Sequence, residues 1–146
     1  MGNINVGRWI VGGVVAAIVL FVIDYVVNGV ILSAQWDQVM ANLGLPPMSE
    51  SLDPGTLIGF AVLNLIVGLT AVWIYVGIRP RFGPGATTAI YAGVATWLLA
   101  YGVAAAFPMM VGIMPASLAW TAIIVGVIQV PLATVIGAWL YKEEMA

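Results

Sequence analysis

The chain has 146 residues, 63% of them hydrophobic and 7% charged, with a mean hydropathy of +1.12 and a formal charge of −2. So little polar surface cannot cover a soluble domain, and so small a charge of that sign leaves no basic face for nucleic acid. The sequence contains no cysteine or histidine, which excludes disulfides, thiol chemistry, iron–sulfur clusters and histidine-held haem or zinc.

Residues 1–8 form a short polar leader whose only charged side chain is Arg8. Residues 9–32 are almost wholly apolar, with one charge, Asp24. At ~1.5 Å per helical residue such a run crosses a bilayer core of about 30 Å. It is far longer than the ~7 to 15 residues of a signal-peptide core, and Leu32-Ser33-Ala34 lacks a small residue at the outer recognition position. Residues 9–33 are therefore expected to be a permanent first span.

Trp36, Val39, Met40 and Leu43 then recur at helical spacing, with Gln35, Asp37, Gln38 and Asn42 elsewhere around the turn. Gly44 and Pro46-Pro47 close this stretch, so residues 35–43 read as a short amphipathic helix at the membrane surface. It has no lysine or arginine, so anionic lipid does not hold it there. It fits a lid or strut over the bundle mouth better than a partner-docking helix. A turn-rich linker follows, in which Asp53 can cap the next helix and Pro54 can take its first position.

The second span is expected over residues 56–78, and the Pro- and Gly-rich stretch 79–85 reads as a tight turn. The third span covers 86–107, residues 108–116 form an uncharged loop, and the fourth covers 117–141, before the charged tail Lys142-Glu143-Glu144. Arg8, Arg79, Arg81 and Lys142 then fall on one side, which the positive-inside rule makes cytoplasmic, with both termini inside. Trp9, Trp36, Trp73, Trp120 and Trp139 lie near span ends as an aromatic belt, while Trp97 lies near mid-membrane. The fold class is thus an all-α integral membrane protein of one domain, a four-transmembrane-helix bundle with an interfacial helix in its first extracytoplasmic loop.

Each span has one small-and-polar face. The faces are Gly13, Ala17, Asp24 and Asn28; Ala61, Asn64, Gly68 and Ala71; Ala89, Gly93, Thr96 and Ala100; and Ala122, Gly126, Gln129, Ala133 and Gly137. Helices in lipid associate through close backbone approach and polar cross-links, so these faces should point inward. Counted from the outer ends, Asp24 lies ~13 Å deep, Asn64 ~10 Å, Thr96 ~16 Å and Gln129 ~18 Å, one polar band with Asn28 and Tyr101 above it. Pro131 removes a backbone donor beside this band and is expected to kink the fourth span there.

An aspartate near a span centre costs about 2.5 to 3.5 kcal/mol on insertion-based scales, which marks Asp24 as a functional candidate. No basic side chain reaches it, since Arg8 is ~24 Å away along the helix. As a neutral acid it can donate to Asn64 or Gln129 and act as a clasp; alternatively it is a proton- or cation-responsive site open to the outer side. Catalysis has little to work with: aspartyl chemistry needs two carboxyls, which only a two-fold dimer would supply, and Thr96, Tyr101 and Ser117 have no activating base. No enzyme activity and no cofactor are expected. Met109, Met110 and Met114 could hold Cu(I), but a greasy interfacial loop accounts for them as well, and no metal site is assigned. Ala71-Val72-Trp73-Ile74-Tyr75 echoes Gly137-Ala138-Trp139-Leu140-Tyr141, a pattern that interfacial aromatics alone produce.

In Ile78-Arg79-Pro80-Arg81-Phe82-Gly83-Pro84-Gly85, in Gly137-Ala138-Trp139-Leu140-Tyr141-Lys142-Glu143 and in its surface helix, the chain resembles an uncharacterised group of small bacterial four-span membrane proteins. That resemblance implies a bacterial inner membrane and carries over no functional residues. Two functions fit the sequence. One is an interaction or accessory subunit that self-associates or packs against a larger membrane complex, supported by the small-residue faces. The other is a small oligomeric transporter or channel whose polar path runs through Asp24, Asn28, Asn64 and Gln129. Membrane lipids and a homo-oligomer or larger membrane complex are the expected partners.

Overall fold

The computed structural model describes residues 4–142, so the tail acids Glu143 and Glu144 lie outside the described residues. The helices are α1 (Val6–Ile31), α2 (Ser33–Asn42), α3 (Met48–Ser51), α4 (Pro54–Phe82), α5 (Ala86–Met110) and α6 (Ala116–Trp139). Among the described residues, α1, α4, α5 and α6 are long and apolar enough to cross a membrane, which makes the protein an all-α four-helix membrane bundle. In the bundle α1 packs on α4 and α6, and α5 packs on the same two helices, so α1 and α5 occupy opposite corners.

Glycines set how closely these helices approach. A Cβ on Gly68 would lie 2.5 Å from the Gly13 carbonyl oxygen and 2.6 Å from the Ala17 nitrogen. One on Gly12 would meet the Gly137 carbonyl at 2.5 Å, and one on Gly93 the Pro131 Cα at 2.5 Å. These distances are shorter than real side chains tolerate, so the backbones touch only because the side chains are absent. Ala16, Leu20, Val72, Ala92, Val130 and Ala133 fill the core between them. At the opposite pole of each helix, Ile18, Leu63, Leu99 and Ile128 are exposed, as lipid-facing side chains should be.

All four cations of the sequence lie at one end of the bundle, where α1 begins and α4 and α6 finish. There the Arg79 guanidinium sits 5.5 Å from the Tyr141 ring centroid, and Trp9 meets Trp73 edge-on at 5.0 Å. Trp9 also donates its indole N–H to the Leu69 carbonyl, 2.9 Å away. We call this the basic end and the opposite one the α2 end.

The boundaries differ from the expected ones at prolines. α4 runs through Pro80 to Phe82 rather than stopping at residue 78, and α5 runs through Pro108 to Met110 rather than stopping at 107. Proline fixes φ in the helical range and removes only one donor, so a helix can pass it near its end. The actual stops are glycines: Gly83 has φ 83° and Gly112 has φ 78°, a region that other residues avoid. The turn of 79–85 therefore narrows to residues 83–85. α6 is helical throughout and passes Pro131, whose ring is buried and whose backbone packs on Gly93.

Two segments depart from regular α geometry. Tyr25–Ile31 of α1 and Leu98–Val103 of α5 are π-helical, and neither contains a buried residue. Sequence periodicity carries no signal for them. Past Asp24 the last turns of α1 make their main contacts with α2, and Val27 packs against the cluster of Leu32, Val39 and Leu118.

Candidate functional site

Asp24 is the last residue before the π-helical segment of α1, and it faces the bundle interior. Its Oδ1 accepts a hydrogen bond from Gln129 Nε2 of α6 at 2.8 Å, and its Oδ2 accepts one from Tyr101 Oη of α5 at 3.0 Å. One carboxyl thus ties three helices together, including the two at opposite corners. Tyr101 can come this close because Gly126 leaves a slot: a Cβ there would lie 3.1 Å from the Tyr101 Cβ and 2.9 Å from Trp97 Cδ1. Trp97 uses the same slot to donate its indole N–H to the Ile123 carbonyl at 3.0 Å, which satisfies a mid-membrane tryptophan.

The polar band assembles only in part. Gln129 is reached as expected, but as a donor rather than as the acceptor of an acid proton. Asn64 does not bond to Asp24: its Nδ2 donates to the Phe60 carbonyl on its own helix at 3.1 Å. Thr96 turns its hydroxyl onto the Ala92 carbonyl at 2.9 Å and stays outside the site. Tyr101, expected above the band, joins it. The difference lies in side-chain direction, because helical side chains lean toward their own N-terminus. α1 and α5 start at the basic end and α4 and α6 at the α2 end, so Tyr101 reaches down to Asp24 and Gln129 reaches up. Asn64, on α4 and nearer the α2 end than Asp24, also leans up, as Gln129 does, and so away from the acid.

Asn28 extends the network upward. Its Nδ2 donates to the Asp24 backbone carbonyl at 3.2 Å, and its Oδ1 accepts the Trp36 indole N–H at 3.1 Å. Trp36 belongs to α2, so the surface helix is tied to the backbone of the acid itself. Val39 of α2 packs with Leu32 and Leu118, and Met114 rests against the same cluster, whereas Met110 is fully exposed to its surroundings. The loop methionines therefore have different environments and do not form one ligand set.

Beneath α2 and α3 lies a cavity of about 480 Å³. Asp24, Asn64 and Tyr101 line it, together with Asn28 and Trp36 and with apolar side chains such as Phe21 and Phe60. Met40, Met48 and Leu52 line it from the α2 and α3 side. Its size is that of a small-organic-ligand pocket, and its wall is mostly apolar with a few polar groups, the usual composition of such pockets. Residues of α3 and the α4 start were not singled out from the sequence, because nothing local marks a wall residue. Asp37 holds this roof in place by accepting the Met48 backbone N–H at 2.8 Å.

The electrostatics are one-sided. No lysine or arginine lines the cavity among the described residues, so the Asp24 carboxyl has two donors but no counter-charge. Two buried acceptors, Asn64 Oδ1 and Gln129 Oε1, have no hydrogen-bond partner among the described residues. Unpartnered buried polar atoms are costly and uncommon in folded chains. Among the described residues, no three Asp, Glu, His or Cys side chains group as metal ligands would. Chemically, the arrangement can clasp three helices and present the Asp24 carboxyl to a donor or a cation.

Compared with family models, curated proteins and solved structures, the chain matches none.

Proposed function

We propose that this is a non-enzymatic membrane protein acting as a small carrier or channel, with a cation-responsive pathway centred on Asp24. The observation that carries the reading is a carboxyl with two hydrogen-bond donors, no counter-ion and a cavity of about 480 Å³ above it. A half-buried carboxylate with no counter-charge is costly inside a membrane, so the site favours arrival of a cation. The basic end, with Arg8, Arg79, Arg81 and Lys142, is assigned to the cytoplasm, so the cavity opens toward the outside of a bacterial inner membrane. Four helices give few walls for a complete pathway, so several copies are assigned to the working unit.

An accessory subunit is less well supported. Its main argument is the set of small-residue faces, yet Gly13, Ala17, Gly68, Gly93, Gly126 and Gly137 all close contacts within this chain. The test is reconstitution into proteoliposomes: Asp24→Asn should abolish pH-dependent cation flux, and retained flux would overturn the assignment.

A further inference from the structure

The inference rests on the proposed function and concerns which cation the cavity takes. A proton needs no space of about 480 Å³. Hard metal ions need about six or more oxygen ligands, or a dedicated octahedral set with water. Here a single carboxylate is available, and both of its oxygens already accept hydrogen bonds. An organic cation fits better on three counts. The polar lining includes the Asp24 carboxyl and the Asn64 amide, whose Oδ1 is buried without a partner among the described residues. The wall carries aromatic faces, Phe21, Tyr25, Phe60 and Tyr101, which attract cations through their ring quadrupoles. The remaining wall is apolar and suits a hydrocarbon tail.

We propose that the cavity binds a molecule with a primary ammonium head and an apolar tail, the head on Asp24 and Asn64 and the tail along the aromatic wall. A primary ammonium has three N–H donors and no acceptor, which complements the Asp24 carboxylate and an amide oxygen. Asp24 supplies the charge, and rotation of the Asn64 amide on binding brings its buried, unpartnered Oδ1 to a second N–H. Among the described residues, the only other titratable groups lining the cavity are the phenols of Tyr25 and Tyr101, so no second carboxylate there competes for the head.

The test is calorimetric titration of the purified full-length chain in maltoside micelles with n-octylammonium, n-octyltrimethylammonium and n-octanol. Octylammonium should bind saturably, and the other two at least tenfold more weakly. Asp24→Asn should weaken octylammonium at least tenfold and leave octanol unchanged. Should Asp24→Asn fail to fold, Ala122→Phe, which fills the cavity and keeps the acid, should lower octylammonium binding in its place. Equal binding of octanol would make the cavity an apolar pocket, and equal binding of the trimethyl compound would show that charge alone is read; either overturns the proposal. Loss of flux in Asp24→Asn without octylammonium binding removes the ligand class and leaves the carrier reading. Binding through Asp24 with flux untouched by the substitution does the reverse.

Discussion

Tyr101 and Asp24 belong to helices at opposite corners of the bundle, yet the phenol oxygen lies 3.0 Å from the carboxyl. This bond crosses the interior just where both helices turn π-helical, Asp24 preceding one such segment and Tyr101 lying within the other. π-segments recur at functional sites because they re-aim a side chain at the expense of helix regularity. Tyr101→Phe keeps the ring in its Gly126 slot and removes only the donor. It should lower stability in detergent by about 1 to 2 kcal/mol. Thermal unfolding checks this, and an unchanged midpoint would show that the bond contributes nothing.

Close backbone contacts predict a contrast between two glycines on one helix. Gly68 faces the Gly13 carbonyl and the Ala17 backbone, so Gly68→Ala must push α1 and α4 apart and should cost about 1 to 3 kcal/mol. Gly77 has open space around its Cβ position, so Gly77→Ala should be neutral or gain up to about 1 kcal/mol from helix propensity. Detergent-unfolding curves of the two variants decide the matter.

The Trp36–Asn28 bond ties the surface helix to the acid's own backbone. Trp36→Phe retains the ring and drops the donor, so α2 should loosen while the spans stay intact. Hydrogen exchange should rise over residues 33–42 and not over α6. Equal exchange in variant and parent would mean that α2 is held by Val39 packing alone.

Asp53 predicts a pH dependence outside the membrane. Its side chain caps α4, accepting the Thr56 and Gly55 N–H groups at 3.1 and 2.7 Å and the Thr56 hydroxyl at 3.0 Å. These bonds, those from Thr56 foremost, hold its carboxyl below the usual carboxylate range. A lowered folded value means that the stabilisation is complete above about pH 4 and fades as acid protonates the folded form. The unfolding difference between the parent and Asp53→Ala should therefore be flat near neutrality and shrink below about pH 4. A difference that grows in acid would contradict the capping account.

Much of the architecture was legible in the sequence. Long apolar runs and Gly44, which closes α2 with φ 69°, announce themselves through composition and turn chemistry. Helix stops at Gly83 and Gly112 were hidden behind Pro80 and Pro108, because a proline near a helix end weakens one bond without ending the helix. Within the site, Asp24 and Gln129 were identifiable as intramembrane polar groups, but their company was not. Equal depth placed Asn64 beside Asp24, whereas antiparallel side-chain lean separates them and brings Tyr101 in. The roof of the cavity depends on how residues 33–53 fold back over the bundle, a tertiary matter with no periodicity to announce it.

If the chain works through Asp24, voltage-driven cation flux into proteoliposomes at several pH values depends on that carboxyl. The parent should conduct in a pH-dependent way, and Asp24→Asn, matched for incorporation and fold, should conduct no more than empty vesicles. PH-dependent flux of parental size in Asp24→Asn would contradict the account and reduce Asp24 to a clasp between three helices.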